Sequence, residues 1–150
     1  MTEDIFSDAH FMREAIREAR KAADVDEIPI GCVIVQNSRI VARAHNLTET
    51  LNDATAHAEM QAITAASNHV GSKYLPDCIL YVTLEPCLMC AGAIRWSQIG
   101  RVVFGCYDKK YGFARFATEI AHPKADISGG VLQDECSALL TEFFKAKRIN

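Results

Sequence analysis

The sequence has no run approaching the roughly 18 apolar residues that a membrane span needs, so no membrane partner is expected. It also has little net charge: 16 Lys and Arg against 19 Asp and Glu leave -3 at pH 7. That balance excludes a protein that coats nucleic acid by charge alone, while a local basic patch stays compatible with it. The opening residues, Met1 to Asp8, are acidic and polar, unlike a secretory signal. Internal repeats, low-complexity tracts and linkers are missing as well, so nothing divides the chain. With 150 residues, 49% of them apolar, it is long enough for one domain with a real core and too short for two of ordinary size. A single domain over 1–150 is expected.

A disulfide framework is lacking too. Of the six cysteines, Cys32, Cys78, Cys106 and Cys136 sit in apolar or helical surroundings with no shared spacing. They read as buried free thiols, which points to a reducing, cytoplasmic compartment.

What is present is periodic. Phe11, Met12, Ala15, Ile16 and Ala19 predict an amphipathic helix from Phe6 to Ala23, capped by Ser7 or Asp8. After Pro29, Ile30 to Val35 and Arg39 to Ala44 predict a hairpin turning at Asn37-Ser38. A polar loop from His45 to Ala56 leads to a helix that opens at His57 and stops at Gly71. Cys78 to Val82 reads as a strand, Leu88 to Ser97 as a largely buried helix, and Arg101 to Gly105 as another strand. Between Tyr107 and Ser128 charge and aromatics mix without a period, and Val131-Leu132 suggest a short fifth strand. Leu132, Cys136, Leu139, Leu140, Phe143 and Phe144 mark a closing helix that ends in Lys145, Lys147 and Arg148. This order gives a three-layer α/β domain.

The chemistry-bearing stretch is Glu85-Pro86-Cys87-Leu88-Met89-Cys90, read with His57-Ala58-Glu59. Cys87 and Cys90 are one helical turn apart at a helix start, where the dipole favours thiolate. Alone, such a pair is equally a redox couple or chance. His57 adds a third ligand, and three ligands with one open position describe a catalytic zinc site. Zinc brings the pKa of water towards about 7. Glu59 then takes the proton, and returns protons to a ring nitrogen and to departing ammonia as the water attacks an amidine carbon. Residues two apart on a regular helix do not share a face, so His57 and Glu59 must lie in an irregular first turn.

His-x-Glu with Pro-Cys-x-x-Cys resembles the signature of the zinc-dependent nucleobase deaminases of the cytidine/deoxycytidylate deaminase superfamily. Pro29 to Val35, Asp53 to Glu59, Tyr81 to Ala93, Gly100 to Gly105 and the helix around Cys136 further resemble the bacterial tRNA-specific adenosine deaminases. The resemblance implies a cytidine-deaminase-like α/β/α fold, with helices on both faces of a mixed five-stranded sheet. It implies hydrolytic conversion of adenosine to inosine at the wobble position of a tRNA anticodon stem-loop, one zinc per subunit, and a homodimer. By motif, His57, Cys87 and Cys90 are the ligands and Glu59 is the proton shuttle. Asn46 falls where the family binds the purine, and Asp108 and Lys110 fall in a loop that meets the flanking nucleotides. The plain alternatives are that Asn46 caps a turn and that Asp108 orders its own loop. The chain departs from the family at Cys32 and Trp96, and at Tyr111, Phe113, Arg115 and Phe116, where smaller residues are usual.

Two rivals share the zinc residues: a deaminase of a free base or nucleoside, of guanine or cytosine type, and a zinc-bound scaffold without activity. Glu59 speaks against the scaffold. Thr83-Leu84-Glu85, the basic tail, and Lys109, Lys110 and Arg115 beside Tyr111, Phe113 and Phe116 speak for RNA. A largely apolar third helix suggests that a partner subunit packs near Ala91 to Trp96.

Overall fold

The computed structural model describes residues 7–116 and 123–149. Its first helix, α1 (Asp8–Asp24), is capped by Ser7, whose side chain accepts from the His10 N–H at 3.1 Å. Phe6, expected in the same helix, lies outside the described residues. Strands β1 (Gly31–Gln36) and β2 (Arg39–His45) form the expected hairpin. Asn37 and Ser38 both have positive φ, 51° and 61°. A two-residue turn needs that conformation to match the twist of its strands.

Helix α2 (Ala58–Val70) ends at Gly71, whose φ of 78° is the left-handed cap that glycine adopts at little cost. Strand β3 (Cys78–Leu84), helix α3 (Leu88–Ser97) and strand β4 (Arg101–Cys106) follow as a crossover unit, with β3 and β4 parallel. A one-turn helix α4 (Phe113–Phe116), strand β5 (Asp126–Ser128) and helix α5 (Gln133–Ile149) complete the described chain. The sheet order is β2-β1-β3-β4-β5, antiparallel on the hairpin side and parallel from β3 to β5.

The continuous apolar run of β1 is explained by burial on both faces. Cys32 and Ile34 face α2 and α3, packing with Ala58, Ala62, Ala66 and Ile94. Val33 and Val35 face the other way, against Phe11, Met12 and Ile16 of α1, where Cys136 and Leu139 of α5 also join. The result is the expected three-layer arrangement. Cys32, Cys78, Cys106 and Cys136 are buried and free.

Two expectations are corrected. The fifth strand is Asp126–Ser128, not Val131-Leu132. Leu132 has a φ of 54°, outside the extended range, and both residues pack as partly buried apolar groups beside α1 and α5. Nor is α3 largely buried. A ten-residue helix on one sheet face turns a stripe outward, and Leu88 and Trp96 lie on it at 40% and 81% exposure.

Candidate active site

Strand β3 delivers the chain through Glu85-Pro86 to Cys87, which is the N-cap of α3, and His57 is the N-cap of α2. Both caps have extended backbone, φ -75°, ψ 175° and φ -70°, ψ 155°, and neither side chain caps its own helix. The two side chains turn to each other instead. His57 thus stands just before the helical repeat and Glu59 just inside it, which removes the difficulty of an i, i+2 pair sharing one site.

His57 Nδ1 lies 3.7 Å from Cys87 Sγ and 3.5 Å from Cys90 Sγ. All three donor atoms fall within 4.8 Å of one another. Tetrahedral zinc, with Zn–S near 2.3 Å and Zn–N near 2.0–2.1 Å, sets nitrogen and sulfur roughly 3.5–3.6 Å apart. The donor set therefore fits zinc with one position left over.

The electrostatics of these groups favour one thiolate, on Cys87. Hydrogen bonding from Cys90 first, then from His57, holds the Cys87 thiol down at about 4 against the cost of its burial. Cys90, the donor of that bond and itself buried, is pushed up. The Cys87 hydrogen bond raises His57 above its ordinary value. Glu59, 4% exposed, is lifted to about 7 by burial first and then by the charge on Cys87. A carboxyl poised there gains and loses a proton near neutrality.

A cleft of about 930 Å³ opens over these groups, lined among others by Asn46, His57, Glu59, Cys87, Asp108 and Lys110, while Cys90 is fully buried. Asn46 is buried and accepts from the Thr48 N–H with its Oδ1 at 3.3 Å, so it does cap a turn. Asp108 Oδ1 accepts from the N–H groups of Lys110 and Tyr111 at 3.0 Å each, so it does order its loop. The Lys110 ammonium stands 5.2 Å over the Tyr111 ring, and the Arg115 guanidinium 5.9 Å over that of Phe116. Tyr107, Tyr111 and Phe116 are exposed at the cleft, whereas Phe113 is a core residue. Residues 117–122 of the divergent stretch lie outside the described residues.

Two buried carboxylates, Glu85 in the cleft lining and Glu27 behind it, have no role assigned from the sequence. Glu27 is fully buried and Glu85 nearly so. A carboxylate that accepts backbone N–H groups leaves no spacing to detect in a sequence; Glu85 stood out there only as part of the motif before the proline.

Comparison with known proteins agrees with this geometry. A family description for the zinc-binding region of cytidine and deoxycytidylate deaminases matches residues 6–106. A tRNA-specific adenosine deaminase of Bacillus subtilis is 45% identical over 94% of this chain and 91% of its own length. A solved structure, from work on A-to-I editing by tRNA:A34 deaminases at the wobble position, superposes with a TM-score of 0.81 at 43% identity, covering 87% of this chain and 99% of that one. A guanine deaminase of Bacillus subtilis is more distant, with a TM-score of 0.66 and 35% identity over 75% of this chain and 76% of that one. Likeness of this extent settles the family: the chain belongs to the cytidine and deoxycytidylate deaminases, among their tRNA-specific adenosine deaminases.

Proposed function

We propose that this chain, acting as a single domain, hydrolyses adenosine to inosine at the wobble position of a tRNA anticodon. The carrying observation is a zinc-fitting His57, Cys87 and Cys90 set beside buried Glu59, at the base of a cleft that runs out to exposed aromatics and cations. At about 930 Å³ the cleft lies at the upper end of the range for small-molecule sites, more room than one free base needs. Bases stack on aromatic faces while Lys and Arg meet phosphate. Tyr107, Tyr111 and Phe116 with Lys109, Lys110 and Arg115 supply both.

His57, Cys87 and Cys90 would hold one zinc per subunit, which supplies Lewis-acid activation of water near neutral pH. Glu59 takes a proton from the attacking water and hands it to the ring nitrogen N1. It takes the second proton as the new C–O bond becomes a carbonyl and delivers it to the amino group, which leaves as ammonia. Its burial favours the protonated form, which suits a group that must carry a proton in mid-reaction. Asn46 orients the purine from the loop beside His57, and Asp108 and Lys110 meet the flanking nucleotides.

The stripe of exposed Leu88 and Trp96 with half-buried Gly92 between them, at helical spacing, is the face we assign to a second copy in a homodimer. No helix among the described residues is long and apolar enough to cross a membrane, and a tRNA substrate fits a cytoplasmic enzyme.

The test is incubation with an anticodon stem-loop carrying adenosine at the wobble position, and separately with free adenosine, guanine and cytosine. Inosine in the RNA supports the reading. Turnover of a free base alone overturns it in favour of the second reading, which likeness to a guanine deaminase keeps open.

A further inference from the structure

We propose that Glu27 and Glu85 are positioning residues, each a buried carboxylate that fixes one of the two irregular loops lining the cleft. The kinetic side of this proposal rests on the RNA-deaminase reading above; its structural side does not.

Glu27 is fully buried, three residues before Ile30, which lines the cleft. Its Oε1 accepts from the Glu49 N–H at 3.1 Å and its Oε2 from the Thr50 N–H at 2.6 Å. Both partners belong to the loop between β2 and α2 that presents Asn46 and Thr48 to the cleft.

Glu85 repeats the arrangement for the other loop. It is 5% exposed, its Oε1 accepts from the Asp108 N–H at 3.1 Å, and its Oε2 accepts from the Ala114 N–H at 3.1 Å. The two N–H groups bracket the segment that carries Lys109, Lys110 and Tyr111. Asp108, once held by Glu85, uses its own carboxylate to fix Lys110 and Tyr111. Gly112 lies so close to the Glu85 carboxylate that a methyl group there would collide with it. Phe113 N–H donates to Pro86 O at 2.8 Å, and Gly112 pairs with Cys87 as an isolated bridge, so the loop is tied to the strand-to-helix turn that carries a ligand.

A buried carboxylate is costly unless its oxygens are satisfied. Here backbone N–H groups from irregular segments satisfy them. The loops gain a fixed shape before substrate arrives, and that lowers the ordering cost of binding. Neither carboxylate is assigned to the reacting atoms. Their loss is therefore expected in substrate binding and not in the chemical step.

The test uses Glu27→Gln and Glu85→Gln in the zinc-loaded protein. An amide accepts from at most one of the two N–H groups and faces the other with a donor. Each variant is expected to keep the parent's zinc content and a kcat within about twofold, with KM for the stem-loop up roughly tenfold. Amide exchange should quicken at Glu49 and Thr50 in the first variant, and at Asp108 and Ala114 in the second, each without change in the other loop. If a variant does not fold, Glu27→Asp or Glu85→Asp keeps the charge and withdraws it by one methylene from the same N–H groups. The same split between KM and kcat is expected there. Unchanged KM, unchanged exchange, or a kcat that falls in step with zinc content overturns the proposal. A parent inactive on the stem-loop overturns the function proposed above, and the exchange experiment still decides whether the carboxylates hold the loops.

Discussion

His57 Nδ1 lies 3.5 Å from Cys90 Sγ although 33 residues separate them in the chain. The contact exists because the N-termini of α2 and α3 meet where β3 ends, and because both cap side chains turn away from their own helices. It is the closure that makes a zinc-fitting donor set out of two short motifs.

Replacing Glu59 separates holding the metal from using it. Glu59→Ala leaves His57, Cys87 and Cys90 untouched, so zinc content stays at the parent's level. Inosine formation falls by roughly 10²–10⁴-fold, the usual worth of a general acid–base group. Metal analysis beside single-turnover assays on the stem-loop checks this; activity within tenfold of the parent refutes the proton-shuttle role.

Zinc removal should destabilise the chain without unfolding it. The two core clusters form from sheet and helix residues that include neither His57 nor the two cysteine ligands. This differs from small zinc modules, which lose their fold with the metal. Restoring zinc to about 1,000 times its Kd adds about 4 kcal/mol. Thermal melts with chelator, and after zinc is added back, read this as a reversible rise in Tm; an unfolded metal-free state contradicts it.

The sole tryptophan reports on association. Trp96 is 81% exposed on the isolated chain. If its stripe is the dimer face, fluorescence shifts to the red as the protein is diluted, and Trp96→Glu sediments as a monomer. Emission that ignores concentration, with an unchanged sedimentation coefficient for the variant, removes this face from consideration.

Stability should depend on acid through Glu27. Burial opposes its charge, but hydrogen bonds from Thr50 and Glu49 outweigh that cost and hold its carboxyl below the ordinary 4.5. In that range the unfolded chain binds the proton more readily than the native one. The contribution of Glu27 is therefore present above about 4.5 and is lost as pH falls through the native value. Urea melts of the parent and Glu27→Gln should show a gap that is constant near neutrality and narrows in acid. A gap that widens as pH falls reverses the assignment.

The sequence was most legible where one physical demand acts on several residues at once. Two-faced burial of β1 appears as a continuous apolar run, and the ligand pair appears as Cys-x-x-Cys behind a proline. Strand β5 is only three residues long, with Asp126 exposed and its neighbours half-buried, so neither alternation nor an apolar run marks it. Val131 and Leu132 look more like a strand because they are apolar, yet they serve the packing of α1 and α5. Glu27 and Glu85 were least legible, because their partners are backbone groups that every residue carries. Trp96 misled through its neighbours: Ala91 and Ile94 do face the sheet, and the stripe beside them does not.

The parallel pairing of β3 with β4 means that α3 is the connection between them, and Cys87 and Cys90 sit at its start. A change that moved either ligand would have to move the crossover on which the sheet depends. Asn46, Asp108, Lys110 and the exposed aromatics hang instead on loops outside that connection. On the function proposed above, substrate preference is set from those loops and the reaction from the crossover, so a library confined to the loops is the economical way to change the one without the other.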